Sequence, residues 1–161
     1  MVYGVWVARL KNVRESKMRR HRLAETDEQK IYDKCDQLYP KLRIGRCCAV
    51  CQSMWRMVPA DHIHHIIPRA IPITRFYLPN LIPLCAKHHE MIHAGKLTEP
   101  ISEQHREHLQ QLANKNLKGY CIAKGITKAE YFQDQYNKMK ELILWTYHQP
   151  TCVNTAVASP R

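Results

Sequence analysis

Apolar positions Ile31, Cys35 and Leu38 recur at helical spacing behind a Thr26-x-x-Gln29 capping box and stop before Pro40, which predicts a helix there. Two short segments, residues 60–67 and 81–84, read as strands. Pro59, Pro68, Pro72, Pro79 and Pro83 are expected to keep the connection between them irregular. Residues 84–94 contain neither Gly nor Pro, lie between Pro83 and Gly95, and have the length of a three-turn helix. Ser102 can cap a further helix through about residue 114, with Leu109 and Leu112 on its apolar side and His105 and His108 toward solvent. The best cap in the chain is Thr127-x-x-Glu130, strengthened by Ile126 against Tyr131 as a hydrophobic staple. Phe132, Tyr136, Met139 and Ile143 then form an apolar stripe on a helix running to about Tyr147. Residues 2–10 are apolar and Val-rich, consistent with a strand, and the small polar residues from 149 onward predict disorder. There is no internal repeat, and the pattern is that of an α+β protein.

Chemistry enters where the strands and the central helix meet. Six of the ten histidines and three of the seven cysteines lie between Cys48 and His93. Imidazole and thiolate are the side chains that bind transition metals best, so this density points to metal sites. At about 100° per residue, Cys85 and His88 face one side of the central helix, and His89 and His93 share a direction roughly 90° round. Cys48-x-x-Cys51 supplies a thiolate knuckle for the first pair, and Cys48, Cys51, Cys85 and His88 would close a structural zinc site. The neighbouring Cys47 could take the place of Cys48. The pair His89 and His93 leaves coordination positions open, and its third ligand is sought in His64-His65.

The run His64-His65-Ile66-Ile67-Pro68, then Asn80-Leu81-Ile82-Pro83-Leu84-Cys85, then His89-x-x-x-His93, resembles the HNH (ββα-metal) endonucleases of the zinc-knuckle subgroup. The resemblance covers about residues 47–95, a third of the chain. It implies a small ββα-metal core at residues 47–97; the pattern outside it predicts a basic N-terminal segment and helix (1–46), a helical region (98–148) and a disordered tail (149–161). It further implies that His64, His89 and His93 hold a catalytic divalent cation, that His65 is the general base, and that Asn80 braces the loop that aims His65. Asp61-His62 offers an earlier register, but only His64-His65 leads directly into Ile-Ile-Pro; His62 is then a surface or phosphate-contacting residue. His88 stands where the more familiar pattern has cysteine, and imidazole is an acceptable zinc ligand. Within the family, the basic start, knuckled core and C-terminal helix are similar to phage recombination endonucleases of the NinG or Rap kind, whose substrates would be branched DNA.

Charge fits a nucleic-acid partner. The chain has 25 Lys and Arg against 14 Asp and Glu, a formal net charge of +11. Seven of the fourteen residues 9–22 are basic, including Lys17, Arg19 and Arg20, and Arg69 and Arg75 lie between the histidine pair and Asn80, placed to meet phosphates. Three imidazoles suit Zn, Ni or Mn, while Mg or Mn completed by water and phosphate oxygens would serve in a cell. No apolar run approaches a membrane span, the start lacks a signal-peptide pattern, and the cysteine usage fits a reducing compartment, so an intracellular protein is expected, in a bacterial host's cytoplasm if phage-derived. Cys35, Cys121 and Cys152 are read as ordinary thiols. The C-terminal stripe is expected in the core and could also pair two copies. The expected function is therefore metal-dependent hydrolysis of DNA phosphodiesters; the rival is a noncatalytic zinc-binding nucleic-acid adaptor, which would have no use for His65.

Overall fold

The computed structural model describes residues 27–147. The 2–10 segment, the basic residues Lys17, Arg19 and Arg20, the capping Thr26, Cys152 and the 149–161 tail lie outside the described residues.

Helix α1 occupies residues 27–38 and passes into a 3-10 turn at Tyr39–Arg43, where Pro40 sits in the first turn and needs no donor of its own. A short helix α2 (Ala49–Ser53) follows. Strand β1 (His62–His65) then pairs antiparallel with β2 (Leu81–Leu84), in the register His62 to Leu84, Ile63 to Pro83, His64 to Ile82 and His65 to Leu81. Pro83 is tolerated because a two-stranded sheet leaves every strand an edge. Helix α4 (Ala86–His93) leaves β2 through Cys85, and α5 (Glu103–Ala113), α6 (Leu117–Lys124) and α7 (Lys128–Tyr147) complete the described chain. The result is the mixed helical and small-sheet architecture expected of an α+β chain. Among the described residues, no helix is long and apolar enough to cross a membrane.

Several elements differ from expectation for identifiable reasons. The first strand is shorter than residues 60–67 because other groups take its flanking backbone: Ala60 N–H donates to Arg46 O at 3.0 Å, and the Asn80 side chain binds Ile67 on both backbone groups. The proline-rich connection is not irregular. It holds a one-turn helix, α3 (Pro72–Arg75), and a 3-10 turn at Leu78–Asn80, each with a proline at its start. Proline pre-sets the helical φ there and lacks only a donor that the first turn would leave unpaired. The apolar pattern does not predict helix α6, although Asn116 caps it through Gly119 N–H and Gly125 ends it in the left-handed region at φ +68°. The expected α5 and α7 form, with Ser102 accepting from His105 N–H and the Thr127–Glu130 box closed in both directions.

The main core draws on both flanks of the sheet. Ile31 and Cys35 of α1, Ile73 and Phe76 beside α3, Leu81 of β2, Leu112 of α5, and Phe132 and Met139 of α7 bury together. Tyr32 meets Phe76 and Phe132 edge-on at centroid distances of 5.1 and 5.2 Å. The Tyr131 hydroxyl donates to Ile73 O at 2.6 Å, which ties α7 to the connection that carries Arg75. Burial raises the Cys35 thiol to about 12, with Asp36 adding to it, and so leaves it unreactive, as expected of a packing cysteine. On the far side of α7, Leu144, Trp145 and Tyr147 stay largely exposed.

Because the Thr127 hydroxyl accepts from Glu130 N–H at 3.1 Å while Glu130 returns a bond to Thr127 N–H, Thr127→Ala should lower global stability by about 1 kcal/mol. Urea unfolding followed by circular dichroism checks this, with the midpoint expected to fall at unchanged slope.

Candidate metal centres and the histidine pair

Two helix N-termini build the first cluster. Cys48 is the N-cap of α2 and Cys51 its third residue; Cys85 is the N-cap of α4 and His88 its third residue. Each x-x pair thus holds the positions of a capping box, with sulfur or imidazole replacing hydroxyl and carboxylate. Cys85 is therefore not within the helix, as the wheel had it, but at its cap, with extended backbone. His88 Nδ1 lies 3.3 Å from Cys48 Sγ, 3.4 Å from Cys51 Sγ and 3.3 Å from Cys85 Sγ. Three sulfurs and a nitrogen around one zinc at the usual bond lengths would be separated by about 3.5 Å. The four ligand atoms are thus positioned to hold a metal such as zinc. Of the two adjacent cysteines, Cys48 joins the cluster; Cys47 lies opposite Pro59 in a short antiparallel bridge closed by Cys48 N–H to Val58 O and Ala60 N–H to Arg46 O.

The electrostatics agree. Burial works against the Cys48 thiolate, but hydrogen bonds from the backbone of Cys85 and Cys51 and from His88 outweigh it and bring the thiol down to about 7. Burial and the neighbouring sulfurs push Cys51 up. One thiolate is welcome among these groups and a second needs a cation.

The second cluster is carried by α4 and β1. Successive strand residues point to opposite faces, so His62 and His64 turn toward α4 while Ile63 and His65 turn away. The His64 ring meets His93 at 5.1 Å and His89 at 5.5 Å, and His62 stacks on His89 at 4.6 Å. His89 Nε2 and His93 Nε2 are 3.2 Å apart, the separation of two nitrogens sharing one ion at about 2.1 Å. His64, His89 and His93 can together hold a metal ion. Burial lowers the pKa of His64 and His89, with neighbouring imidazoles adding to the shift, and so favours the neutral, metal-binding form.

Sequence reasoning missed two carboxylates here. Glu99 Oε1 lies 3.3 Å from His64 Nε2, and its other oxygen accepts from Arg106 at 3.0 Å. Glu99 can accept an N–H from the His64 ring and so orient it. The other ring nitrogen of His64, Nδ1, is buried without a hydrogen-bond partner. Asp61 caps α4 from outside the helix, its Oδ2 accepting from Ala86 N–H at 2.9 Å. Neither contact has a spacing that a sequence displays.

On the opposite face of β1, His65 Nε2 lies 3.0 Å from Arg75 O. A carbonyl only accepts, so Nε2 carries the proton and the Nδ1 lone pair is free. Burial drives His65 down to about 4 against the pull of that carbonyl, with Arg69, Arg75 and His64 reinforcing the loss, so the imidazole is neutral near pH 7. Asn80 is wholly buried and its amide is fully used: Oδ1 accepts from Ile67 N–H at 2.7 Å, and Nδ2 donates to Ile67 O at 3.1 Å and Thr74 O at 3.0 Å. It thereby joins the end of β1 to the turn whose next carbonyl holds His65.

Arg75 donates to Asp36 at 2.6 Å, Arg69 to both oxygens of Asp36 at 2.9 and 3.2 Å, and their guanidiniums lie over Tyr32 and Tyr39 respectively. Burial works against the Asp36 carboxylate, yet these two partners hold its pKa below the usual value. His105 is half-buried rather than turned to solvent, with Nε2 2.8 Å from Pro79 O, whereas His108 is exposed.

Cys51→Ser should remove about one equivalent of bound zinc per chain and lower the thermal midpoint, as chelation of the wild type should; atomic emission and calorimetry read the two effects. His65 has its own pH signature. Between 6.5 and about 4 the unfolded chain binds a proton that the folded one does not, so stability contributed by neutral His65 is lost as pH falls through that window. His65→Gln should shrink the difference between urea midpoints at about pH 7 and about pH 5. Comparisons with protein-family models, curated proteins and solved structures find no match for this chain.

Proposed function

We propose that this protein is a metal-dependent endonuclease of the HNH type, hydrolysing phosphodiester bonds in DNA. The observation that carries the reading is the junction of roles on β1: His64 meets His89 and His93 in a metal-binding cluster, and the next residue, His65, is a neutral imidazole with a free Nδ1. A two-stranded antiparallel sheet followed by α4 is the arrangement a ββα-metal core requires.

A divalent cation bound by His64, His89 and His93 would neutralise charge building up at the phosphate and at the departing 3′ oxygen. The protein's own residues do the rest. His65 Nδ1 takes a proton from the attacking water, and the Arg75 carbonyl at Nε2 holds the ring in the required tautomer and stabilises the charge it gains. Asn80 fixes that carbonyl through the adjacent Thr74. Cys48, Cys51, Cys85 and His88 anchor the start of α4 with a structural zinc. Branched DNA such as a four-way junction is the substrate class that the similarity to phage recombination endonucleases would imply, and the exposed Leu144, Trp145 and Tyr147 offer an apolar surface for a second copy.

Purified protein should cut supercoiled plasmid or a four-way junction with Mg or Mn and not with EDTA. His65→Ala should slow cutting by roughly 10²- to 10⁴-fold while still binding DNA and retaining its zinc. If neither protein cuts with any metal while both bind DNA equally, the protein is a zinc-binding adaptor and the hydrolytic assignment is wrong.

A further inference from the structure

The loop between the first cluster and β1 ends in Met54-Trp55-Arg56-Met57. Trp55 is 96% exposed, Met54 50% and Met57 47%. Trp55 also has φ +58°, and no other non-glycine residue among the described ones has positive φ. For a bulky side chain that conformation is strained, and glycine would adopt it freely. A Trp that hardly touches the fold gains nothing from packing to offset the strain. The backbone here is an ordinary helix C-terminus, since Trp55 N–H to Gln52 O and Arg56 N–H to Cys51 O close α2 as Gly125 closes α6. What is unusual is a tryptophan where glycine is common, with its indole left in solvent, which points to a role in contact with something else.

The tip is fixed to the metal-binding elements. The Cys51 carbonyl accepts from Met54 N–H at 3.0 Å and from Arg56 N–H at 2.9 Å, and Trp55 N–H donates to Gln52 O at 3.0 Å. Pairing of Cys48 N–H with Val58 O at 2.8 Å and of Ala60 N–H with Arg46 O at 3.0 Å closes the base of the loop. Cys51 shares its cluster with His88, the neighbour of His89 on α4, so the indole keeps a set position relative to the second cluster. Residues 37–60 contain Lys41, Arg43, Arg46 and Arg56 and no carboxylate, and the groove beside the tip brings Arg56 and Lys87 together with one carboxylate, Asp61.

We propose that Trp55 is a nucleobase-stacking wedge, which takes a base left unpaired in the nucleic acid while Arg56 meets the adjoining phosphate. An exposed aromatic face next to Arg56, on a groove where two cations outnumber one carboxylate, suits a polyanion with accessible π-faces, and a base inside an intact duplex has none to offer. The inference rests on the reading of the protein as acting on nucleic acid and names the feature of the substrate that it recognises.

The test is binding alone, by fluorescence anisotropy, with full-length His65→Ala protein to prevent cutting. The labelled probes are a duplex with one unpaired base and its fully paired counterpart. Trp55→Gly in this background should weaken binding to the first probe by roughly 5- to 100-fold and abolish the preference for it. Trp55→Phe should keep most of that preference. Since glycine relieves the φ strain, Trp55→Gly should retain its zinc and melt no lower than its parent, a combination that a merely structural tryptophan would not give. If both duplexes bind and Trp55→Gly leaves the preference untouched, the wedge is overturned, the tip is better read as a protein-docking surface, and the nucleic-acid reading stands. If the parent binds neither probe, the wedge and the reading beneath it fail together.

Discussion

The structure depends on how α4 is held. None of its eight residues is fully buried, so hydrophobic packing does little to fix the helix that carries three of the candidate ligands. Its position comes instead from polar groups at its start: the Cys85 cap, the His88 ring among three sulfurs, and the Asp61 carboxylate on Ala86 N–H. A zinc ion among Cys48, Cys51, Cys85 and His88 would reinforce the small apolar cluster that Ile92 joins with Val50 and Leu84, which is how small modules with little core are commonly stabilised. Because His88 and His89 are consecutive, ordering one cluster also orients the other.

The sheet contributes alternation. In His62-Ile63-His64-His65, the pleat sends His62 and His64 to the α4 side and Ile63 and His65 to the other. Adjacent histidines consequently meet different surroundings: one sits among imidazoles, the other against a backbone carbonyl, Tyr39 and two arginines. Two residues of one type acquire different chemistry through a backbone period of two, and a slip of one residue in register would exchange their places. Asn80 guards against that slip by binding Ile67 and Thr74 with one amide.

What could be read in the sequence was what local spacing encodes. The x-x and x-x-x intervals of Cys48, Cys51, Cys85, His88, His89 and His93 named both clusters, and the Ser102 and Thr127 caps placed α5 and α7. Element ends were less legible. β1 is cut short by side-chain bonds from Asn80, and α4 starts two residues late because Leu84 stays in the sheet and Cys85 becomes a cap. Polar contacts across the fold were not legible at all: Glu99 reaches His64 over 35 positions and Asp36 reaches Arg75 over 39, and nothing in either segment announces its partner. Helix α6 carried its signals, Asn116 and Gly125, but an interior Gly119 weakens the pattern between them.

The Asp36 clamp changes how the basic surplus near His65 should be counted. One carboxylate shared by Arg69 and Arg75 leaves a net single positive charge, with both guanidiniums already hydrogen-bonded and seated over tyrosine rings. Arginines so engaged are rigid and partly neutralised, so a polyanion arriving there would displace ions nearer in number to one than to two. The formal excess of the sequence therefore overstates the mobile positive charge on this part of the surface, where two of its cations are already fixed by one carboxylate.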